Sequence, residues 1–582
     1  MLKPKLFTTL KNYSWAQLRS DTIAGIVVGI VALPLAIAFA IASGVSPERG
    51  LFTAVIAGFI ISALGGSRVQ IGGPTGAFVV IVYGIVHKYG LDGLFVATAM
   101  GGFLLILMGL FRFGSAVKFI PYPVIVGFTS GIAVIIFSSQ VNDFLGLGIA
   151  QIPADFLEKW KVYSEHTQNI NYWALALSLS SIFIIVMWKK ISGRIPSPLI
   201  ALVISTVIVH WFKLPVETIA TRFGEIPHLL PRPAFPSINL DMVRNLIPTS
   251  VTIALLAAIE SLLSAVIADG MIGGQHRPNM ELVAQGIANV FSPLFGGLPA
   301  TGAIARTATN INNGGRTPIA GMVHAAILFL IMIFLGPWVG LIPLCSLAAI
   351  LVVVSYHMSE WESFLTLLKS PKSDAAVLLV TFFLTIILDL TVAIQVGVLL
   401  AMLLFIRRMV QVTHVQAITR ELVDEEETDD PNSIQKREIP KEVEIFEING
   451  PFFFGASYKF LEAMKITGKS PKVRIIRMRN VLTIDATGLY TLKEEYKNAS
   501  RHNIAFILSD VHAQPLIALE RIGLLDQIGE NNIFGNIDDA LNRARQILGI
   551  SPVDRATPFV PTVKREGKED PFVGDTAPGN GE

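Results

Sequence analysis

Two short groups of Gly, Pro and Thr residues interrupt long apolar runs and have the composition of a helix start. The first is GGPTGA at residues 72–77, and the second is GGLPATGA at residues 296–303. Pro favours the first turn of a helix, and a Thr side chain can cap the exposed N–H groups there. A helix that starts inside a membrane directs unpaired N–H groups and a positive dipole end at whatever lies in front of it. Two such starts that face each other would bind an anion.

The residues at and just after these starts are the candidate anion ligands. They are Thr75, Gly76, Ala77, Phe78, Thr301, Gly302, Ala303 and Arg306. The Thr hydroxyls and nearby N–H groups would hold an oxyanion, although simple capping is compatible with that role. Phe78 would form an apolar wall of the site, or would only pack in the core. Arg306 lies about two turns into the second helix. We expect it to attract anions without ligating them, with snorkelling or an ion pair to Glu260 as alternatives.

Glu260 is a carboxylate near the middle of another apolar segment. Such a group is costly in a membrane unless it is neutral or paired, which makes a functional role the first hypothesis and a packing hydrogen bond the alternative. Ser264 follows four residues later and therefore lies on the same helix face. We predict that Glu260 carries a proton together with the anion. The competing hypothesis is a sodium ion held by Glu260, Ser264 and backbone carbonyls.

The segments that precede the two starts are also similar. Residues 51–66 read LFTAVIAGFIISALGG and residues 282–297 read LVAQGIANVFSPLFGG. Shared composition of Gly-rich membrane helices is one explanation of this likeness. We interpret the paired blocks as a true internal repeat, because broken helices at corresponding positions mark the binding site of repeat-built transporters.

Composition predicts a polytopic α-helical membrane protein. Of the 582 residues, 52% are hydrophobic and 15% are charged. The net charge of +2 gives no reason to expect nucleic acid as a partner, and the single cysteine excludes an internal disulfide. The sequence has no metal-ligand spacing, no Walker lysine and no nucleophile–base pair. We therefore expect no cofactor, no metal and no enzymatic activity.

Fourteen apolar segments are expected to cross the membrane. They cover residues 22–43, 51–64, 74–86, 92–110, 120–139, 172–188, 196–212, 246–268, 282–295, 299–311, 317–335, 338–357, 375–388 and 391–406. Seven segments per repeat, an odd number, would give the two halves opposite orientations. Lys and Arg concentrate in the loops that this count places inside, so both termini are predicted to be cytoplasmic. Asp389 is interpreted as a turn between two short helices.

The chain outside the apolar segments divides into four further regions. Residues 1–20 are predicted to form a cytoplasmic amphipathic lead-in along the membrane, followed by the transport domain at 21–410. An acidic linker is expected at 411–440 and a disordered tail at 551–582. Between them, residues 441–550 have an α/β pattern, with strands at 443–450, 472–481 and 504–511 and helices at 454–465, 486–502 and 514–524.

Five motifs together resemble a known family, the SulP anion transporters. In the apolar part they are GIVALPLAIAFAIASG at 29–44, GGPTGAFVVI at 72–81, AIESLLSAVIADG at 258–270 and GAIARTATNINNGGRTP at 302–318. The motif VLTIDATGLYTL at 481–492 resembles that of a STAS domain. The resemblance implies seven-plus-seven inverted repeats, as in uracil permeases, and a core domain that moves against a gate domain. It also implies a substrate site between the third and tenth helices and a homodimer.

The function implied is secondary active transport of a small anion across a bacterial inner membrane. Sulfate, bicarbonate and C4-dicarboxylates are the candidate anions, with a proton or sodium as the coupling ion. An anion channel, a sodium-coupled bicarbonate symporter and a membrane-anchored signalling protein are the alternatives. Membrane lipid, a second copy of the chain and a cytoplasmic protein at the STAS domain are the remaining expected partners.

Overall fold

The computed structural model describes residues 2–553, apart from 116–120, 150–151, 154, 192–195, 225–226, 228, 238, 389, 419–433, 435–436 and 467–470. The chain divides into two compact units, one ending at Met402 and the other beginning at Leu403. Most of the predicted acidic linker and of the predicted disordered tail lies outside the described residues, and so does the turn predicted at Asp389.

The first unit is built from helices, with two short strands. The elements are α1 Leu6–Thr9, α2 Trp15–Ala42, α3 Pro47–Leu64, β1 Gly72–Gly73, α4 Val79–Leu110, α5 Tyr122–Leu145, α6 Phe156–Glu165, α7 Tyr172–Ile191, α8 Ser197–Phe212, α9 Ile219–Phe223, α10 Leu240–Ile272, α11 Pro278–Leu294, β2 Thr301–Gly302, α12 Ile304–Asn312, α13 Pro318–Gly340, α14 Leu344–Met358, α15 Trp361–Leu368, α16 Lys372–Ile387 and α17 Leu390–Val412. Helix α17 continues past Met402 into the second unit.

Each of the fourteen predicted segments falls on a helix. Segments 74–86 and 92–110 share α4, whose backbone breaks at Gly90 with a φ of 67°. Among the described residues, eight helices are long and apolar enough to cross a membrane. The count of fourteen crossings stays a prediction. Helices α6, α9 and α15 were missed, because they are short and carry polar residues along their length.

Three predicted boundaries are wrong. The half-helices start later than Pro74 and Pro299, with a 3₁₀ turn at Gly76–Phe78 leading into α4 and α12 beginning at Ile304. The residues in front of these starts are strands, which hold the backbone extended. The lead-in predicted at residues 1–20 ends early, because α2 begins at Trp15 with the hydroxyl of Ser14 as its cap.

The helices of the first unit pack mainly in two sets, which we call the core group and the gate group after the domains that the family resemblance implies. In the core group, α2 packs on α13, α3 packs on α11 and α13, and α4 packs on α10 and α11. In the gate group, α5 packs on α14 and α16, and α7 packs on α8 and α14. Small residues allow the closest approach: a Cβ added at Gly102 of α4 would lie 2.7 Å from the Gly286 oxygen of α11.

The second unit contains a five-stranded sheet in the order β3-β4-β5-β6-β7, with parallel pairing except between β3 and β4. Its elements are β3 His414–Ile418, β4 Val443–Asn449, α18 Phe454–Ile466, β5 Val473–Asn480, α19 Ala486–Arg501, β6 Ala505–Ser509, α20 Ala513–Arg521, α21 Leu524–Ile528, β7 Ile533–Phe534 and α22 Ile537–Leu548. The three predicted strands and three predicted helices are all present. Strand β3 lies within the segment predicted as a linker, which corrects that prediction at its start.

Candidate functional site

The segments in front of the two half-helices pair with each other. Strands β1 and β2 are antiparallel, with Gly72 opposite Gly302 and Gly73 opposite Thr301. The N–H of Ala303 extends the pairing by donating to the Ile71 oxygen at 2.9 Å. The two helix starts therefore lie side by side, and the chain enters them in opposite directions, as an inverted repeat predicts.

At the first start, the hydroxyl of Thr75 binds a side chain from another helix. It donates to Glu260 Oε2 at 2.9 Å, across 185 residues of sequence. Glu260 is half-buried on α10, and Thr75 forms no side-chain cap. The capping role expected for Thr75 is therefore wrong. The N–H of Phe78 donates to the Thr75 oxygen at 3.3 Å, so the first-turn N–H groups without an intrahelical partner are those of Gly76 and Ala77, and no side-chain cap binds them.

The next residues of the first start face the gate group. A Cβ added at Gly76 would lie 2.9 Å from the Met358 sulfur and 3.2 Å from Ile136 Cδ1 and Phe39 Cε1. Met358 ends α14 and Ile136 belongs to α5, so only glycine fits between this turn and the gate helices. Ala77 and Phe78 are buried in the main apolar core. That position favours the packing interpretation of Phe78.

At the second start, the hydroxyl of Thr301 binds backbone instead. It is fully buried and donates to the Ala257 oxygen of α10 at 2.9 Å. Asn289 of α11 fixes the position of Ala300, the residue before Thr301. Its amide donates to the Ala300 oxygen and accepts from the Ala300 N–H, both at 2.8 Å. Gly302 leaves no space for a side chain, because a Cβ there would collide with the amide of Gln70.

Helix α12 then begins without a side-chain cap. Ala303 occupies the cap position and forms no side-chain hydrogen bond, so the capping role expected for Thr301 is also wrong. Ala303 is half-buried, and Ile304 and Ala305 behind it are exposed. Its own N–H is occupied by Ile71, so the free N–H groups of this start are those of the first turn of α12.

Arg306 connects the second start to the first. Arg306 is 2% exposed, and its Nη2 donates to the Pro74 oxygen. The other terminal nitrogen, Nη1, has no hydrogen-bond partner among the described residues. Gly73 makes room for it, because a Cβ at that residue would approach Nη1 closely and its φ of 150° suits glycine. Arg306 and Glu260 form no ion pair in the described chain, so the expected alternative of a direct bridge is wrong.

Ser264 is not brought to the carboxylate of Glu260. Its hydroxyl donates weakly to Thr307 Oγ1 at 3.4 Å, and that oxygen accepts from the N–H of Ile71 at 3.0 Å. The two residues proposed as sodium ligands are thus engaged with different partners, Glu260 with Thr75 and Ser264 with Thr307. The nine predicted site residues other than Ser264 gather around the paired strands and the Thr75–Glu260 contact.

Sequence reasoning missed several buried polar residues that shape the site. Glu281 Oε2 accepts from the N–H groups of Gly66 and Ser67 at 2.8 and 3.0 Å and fixes the loop before β1. Glu281, Gln285 and Asn289 recur every four residues on α11 and form one polar stripe. That spacing within an apolar segment was the signal that could have identified them.

Comparison with known proteins identifies the family. The Sulfate permease family matches residues 18–381, and the STAS domain matches residues 434–540. The chain belongs to the sulfate permease family. The first match spans more than half of the chain, and the resemblance seen in the motifs is confirmed.

Relatives of this family extend over nearly the whole chain. One relative is YvdB of Bacillus subtilis (strain 168), whose name gives a provisional assignment as a sulfate transporter. It is 43% identical over 532 residues, which cover 91% of this chain and 98% of YvdB. The bicarbonate transporter BicA of Picosynechococcus sp. (strain ATCC 27264 / PCC 7002 / PR-6) is 30% identical over 551 residues, covering 92% and 96%.

Solved structures share the fold. The murine Slc26a9 anion transporter in the inward-facing state matches with a TM-score of 0.82 at 19% identity, over 94% of each chain. The transmembrane domain of a cyanobacterial BicA matches with a TM-score of 0.60 at 32% identity, over 66% of this chain and 98% of that one. The predicted class, a multi-pass helical transport protein with a STAS domain, is confirmed. The chain is a transporter of the anion-carrying sulfate permease family and not an enzyme.

Proposed function

We propose that this protein is a secondary active transporter that binds a small oxyanion between the Gly76 and Ile304 helix starts and carries it with a proton. The observation that carries the proposal is the pairing of β1 with β2, which brings two uncapped helix starts together. Uncapped N–H groups and two positive dipole ends favour an anion, and Arg306 adds a buried positive charge beside them.

Sulfate and bicarbonate are the anions best supported. Both are small and offer several acceptor oxygens to N–H donors that converge from two sides. Relatives named as a sulfate and a bicarbonate transporter extend over most of the chain, whereas the C4-dicarboxylate alternative rests on motifs alone. A dicarboxylate would also need a second cationic group for its distal carboxylate.

Glu260 is the proposed proton carrier, through its contact with Thr75. An ionised Glu260 would repel an incoming anion in a site of low dielectric, and a proton taken up with the anion removes that repulsion. The hydroxyl of Thr75 connects the proposed anion site with Glu260, because Thr75 belongs to the helix start and donates a hydrogen bond to the carboxylate. A sodium-coupled bicarbonate symporter remains the second candidate, but it would require Ser264 to leave Thr307 before it could share an ion with Glu260.

A carrier is favoured over an anion channel by the contact between the first start and the gate group. Gly76 fits closely against residues of α5 and α14, so the anion path is narrow where the core and gate groups meet. Movement of the core group against the gate group would open that contact on one side at a time. A channel would need a continuous opening at the same place.

The assembly and orientation belong to the same proposal. We expect a homodimer in the bacterial inner membrane with both termini in the cytoplasm, as the distribution of Lys and Arg indicates. The STAS domain would then be available to a cytoplasmic protein partner.

The experiment is flux into proteoliposomes that contain the purified full chain. Labelled sulfate, bicarbonate, succinate and fumarate are compared under imposed proton and sodium gradients. We expect saturable uptake of sulfate or bicarbonate that an inward proton gradient drives above the external concentration. Uptake that follows sodium and ignores pH would favour the second candidate, and rapid non-saturable flux without accumulation would favour a channel.

A further inference from the structure

Lys159 is a buried cation that lacks an anionic partner. It belongs to α6 and is 4% exposed, and its ammonium forms no ion pair or hydrogen bond within the described residues. Its close neighbour is the ring of Tyr83, whose centroid lies 5.4 Å from Nζ. Burial lowers the pKa of Lys159, and the charge of Asp155 opposes that shift only in part. An unpaired charge in such a place is costly, and an anion would compensate it.

Tyr163 adds a second unused donor on the same helix face. It lies four residues after Lys159, one turn along α6, and is 3% exposed. Its hydroxyl has no hydrogen-bond partner among the described residues. A buried tyrosine hydroxyl usually has one. An ammonium and a hydroxyl that both lack an acceptor among the described residues therefore belong to the same face of α6.

The position of α6 connects these donors to the anion path. Helix α6 packs on α5 and α16 of the gate group. Tyr83 belongs to α4 of the core group, seven residues after Gly76 and so about two turns beyond the first helix start. The Tyr83 hydroxyl donates to the Ile152 oxygen, just before α6, at 2.7 Å. Lys159 and Tyr83 thus form a contact between the two groups within the first half of α4, between its start at Val79 and its break at Gly90.

The carboxylates nearest to these donors are already engaged. Asp143 forms an ion pair with Arg222 at 2.9 Å. Asp155 caps α6 by accepting from the N–H groups of Leu157 and Glu158 at 2.9 and 3.0 Å. The charge of Lys159 is therefore only partly compensated by the carboxylates in this part of the described chain.

We propose that Lys159 and Tyr163 form a second anion site, at the outer end of the path, which binds the transported oxyanion before it reaches the helix starts. The proposal rests on the transport function proposed above, and in the proposed orientation the connection that carries α6 lies outside. An oxyanion would accept from both donors and replace the face of the Tyr83 ring beside Lys159. Charge-assisted hydrogen bonds are stronger than the contact with a ring face. Binding would therefore release α4 from α6 and favour movement of the core group.

The test measures uptake from each side of the membrane separately, in proteoliposomes with determined orientation. The probe is labelled sulfate, or labelled bicarbonate if the wild type carries only that anion. Lys159→Gln is compared with Lys161→Gln, which changes an exposed lysine on the same helix. We expect Lys159→Gln to raise the KM from the α6 side about tenfold, since one charge-assisted contact is lost. The maximal rate from the α6 side and the KM from the opposite side should stay unchanged. The maximal rate from the opposite side should fall, because the ratio of maximal rate to KM must be the same in both directions without a gradient. All of these values should stay unchanged in the control.

Three further variants sharpen the result. Lys159→Arg should restore most of the affinity, and Tyr163→Phe should raise the same KM by a smaller factor. Tyr83→Leu removes the competing ring and should lower the KM from the α6 side. A KM that changes equally from both sides, or a lower maximal rate and melting temperature at unchanged KM, would assign Lys159 a structural role and overturn the proposal. Unchanged kinetics in Lys159→Gln would overturn it as well, while anion flux in the wild type keeps the proposed function intact.

Discussion

The two helix starts occupy equivalent places in the two repeats, yet their threonines have different partners. Thr75 donates to the carboxylate of Glu260, which can change its charge. Thr301 donates to the Ala257 backbone oxygen, which cannot. The repeat supplies the geometry of two facing starts, and in the proposed mechanism the difference in partners gives coupling to the first start and support to the second.

The two starts also differ in the residues that surround them. Gly76 faces Met358 and Ile136 of the gate group, whereas Gly302 faces the amide of Gln70, which is itself bound to the Ser261 oxygen. The first start thus lies where the core and gate groups meet. The second is held within the core group and directs Arg306 toward the first. Four substitutions, in three experiments, can contradict or refine this comparison.

The largest effect is expected at the contact between the first start and the gate group. Gly76→Val would force its side chain into the space of Met358, Ile136 and Phe39, and transport should fall to background. Gly84→Val is the matched control, because a Cβ at Gly84 on the same half of α4 meets no atom within 4 Å. Flux of labelled sulfate at equal amounts of reconstituted protein measures both. Full activity in Gly76→Val would place the moving contact elsewhere.

A smaller effect is expected from Arg306→Lys. Lysine keeps the positive charge but cannot bind the Pro74 oxygen and retain a free donor in the geometry of the guanidinium. The KM for the anion should rise about tenfold, which corresponds to the loss of one charge-assisted hydrogen bond. Arg316→Lys serves as the control, since Arg316 binds only backbone oxygens at the end of α12 through its side chain. Equal KM values in the two variants would contradict a hydrogen bond from Arg306 to the anion and would leave only the charge of this residue as its contribution.

The smallest effect on transport is expected from Thr301→Val, compared with Thr75→Val. Loss of the bond to Ala257 should cost about 1 kcal/mol of stability and leave the KM unchanged, because that hydroxyl does not face the anion. Thr75→Val should also lose the stability of one hydrogen bond, but it should in addition lower transport, because it removes the contact with Glu260. Melting temperature and flux are measured together. Transport lost in Thr301→Val and kept in Thr75→Val would reverse the assignment.

Sequence alone predicted the long apolar helices and that the two starts face each other, because apolar runs and the repeated GG blocks are local signals. It missed the short helices α6, α9 and α15. It did not predict the partners of the threonines. The bond from Thr75 to Glu260 spans 185 residues, and the choice between capping and that bond depends on how α10 lies against β1. Both helices also start later in the sequence than predicted, because Gly72–Gly73 and Thr301–Gly302 pair as strands in front of them. Strand β3 was not predicted, because the acidic residues that follow it led to the whole segment being interpreted as a linker.

The measurement that tests the account most directly is proton-driven accumulation by Glu260→Gln in proteoliposomes. A neutral glutamine mimics the protonated carboxyl group and can still accept from Thr75, so anion binding and anion-for-anion exchange should remain. Accumulation driven by an inward proton gradient should be lost, because no proton is taken up with the anion. A variant that concentrates the anion as well as the wild type does under the same gradient would contradict the coupling role of Glu260.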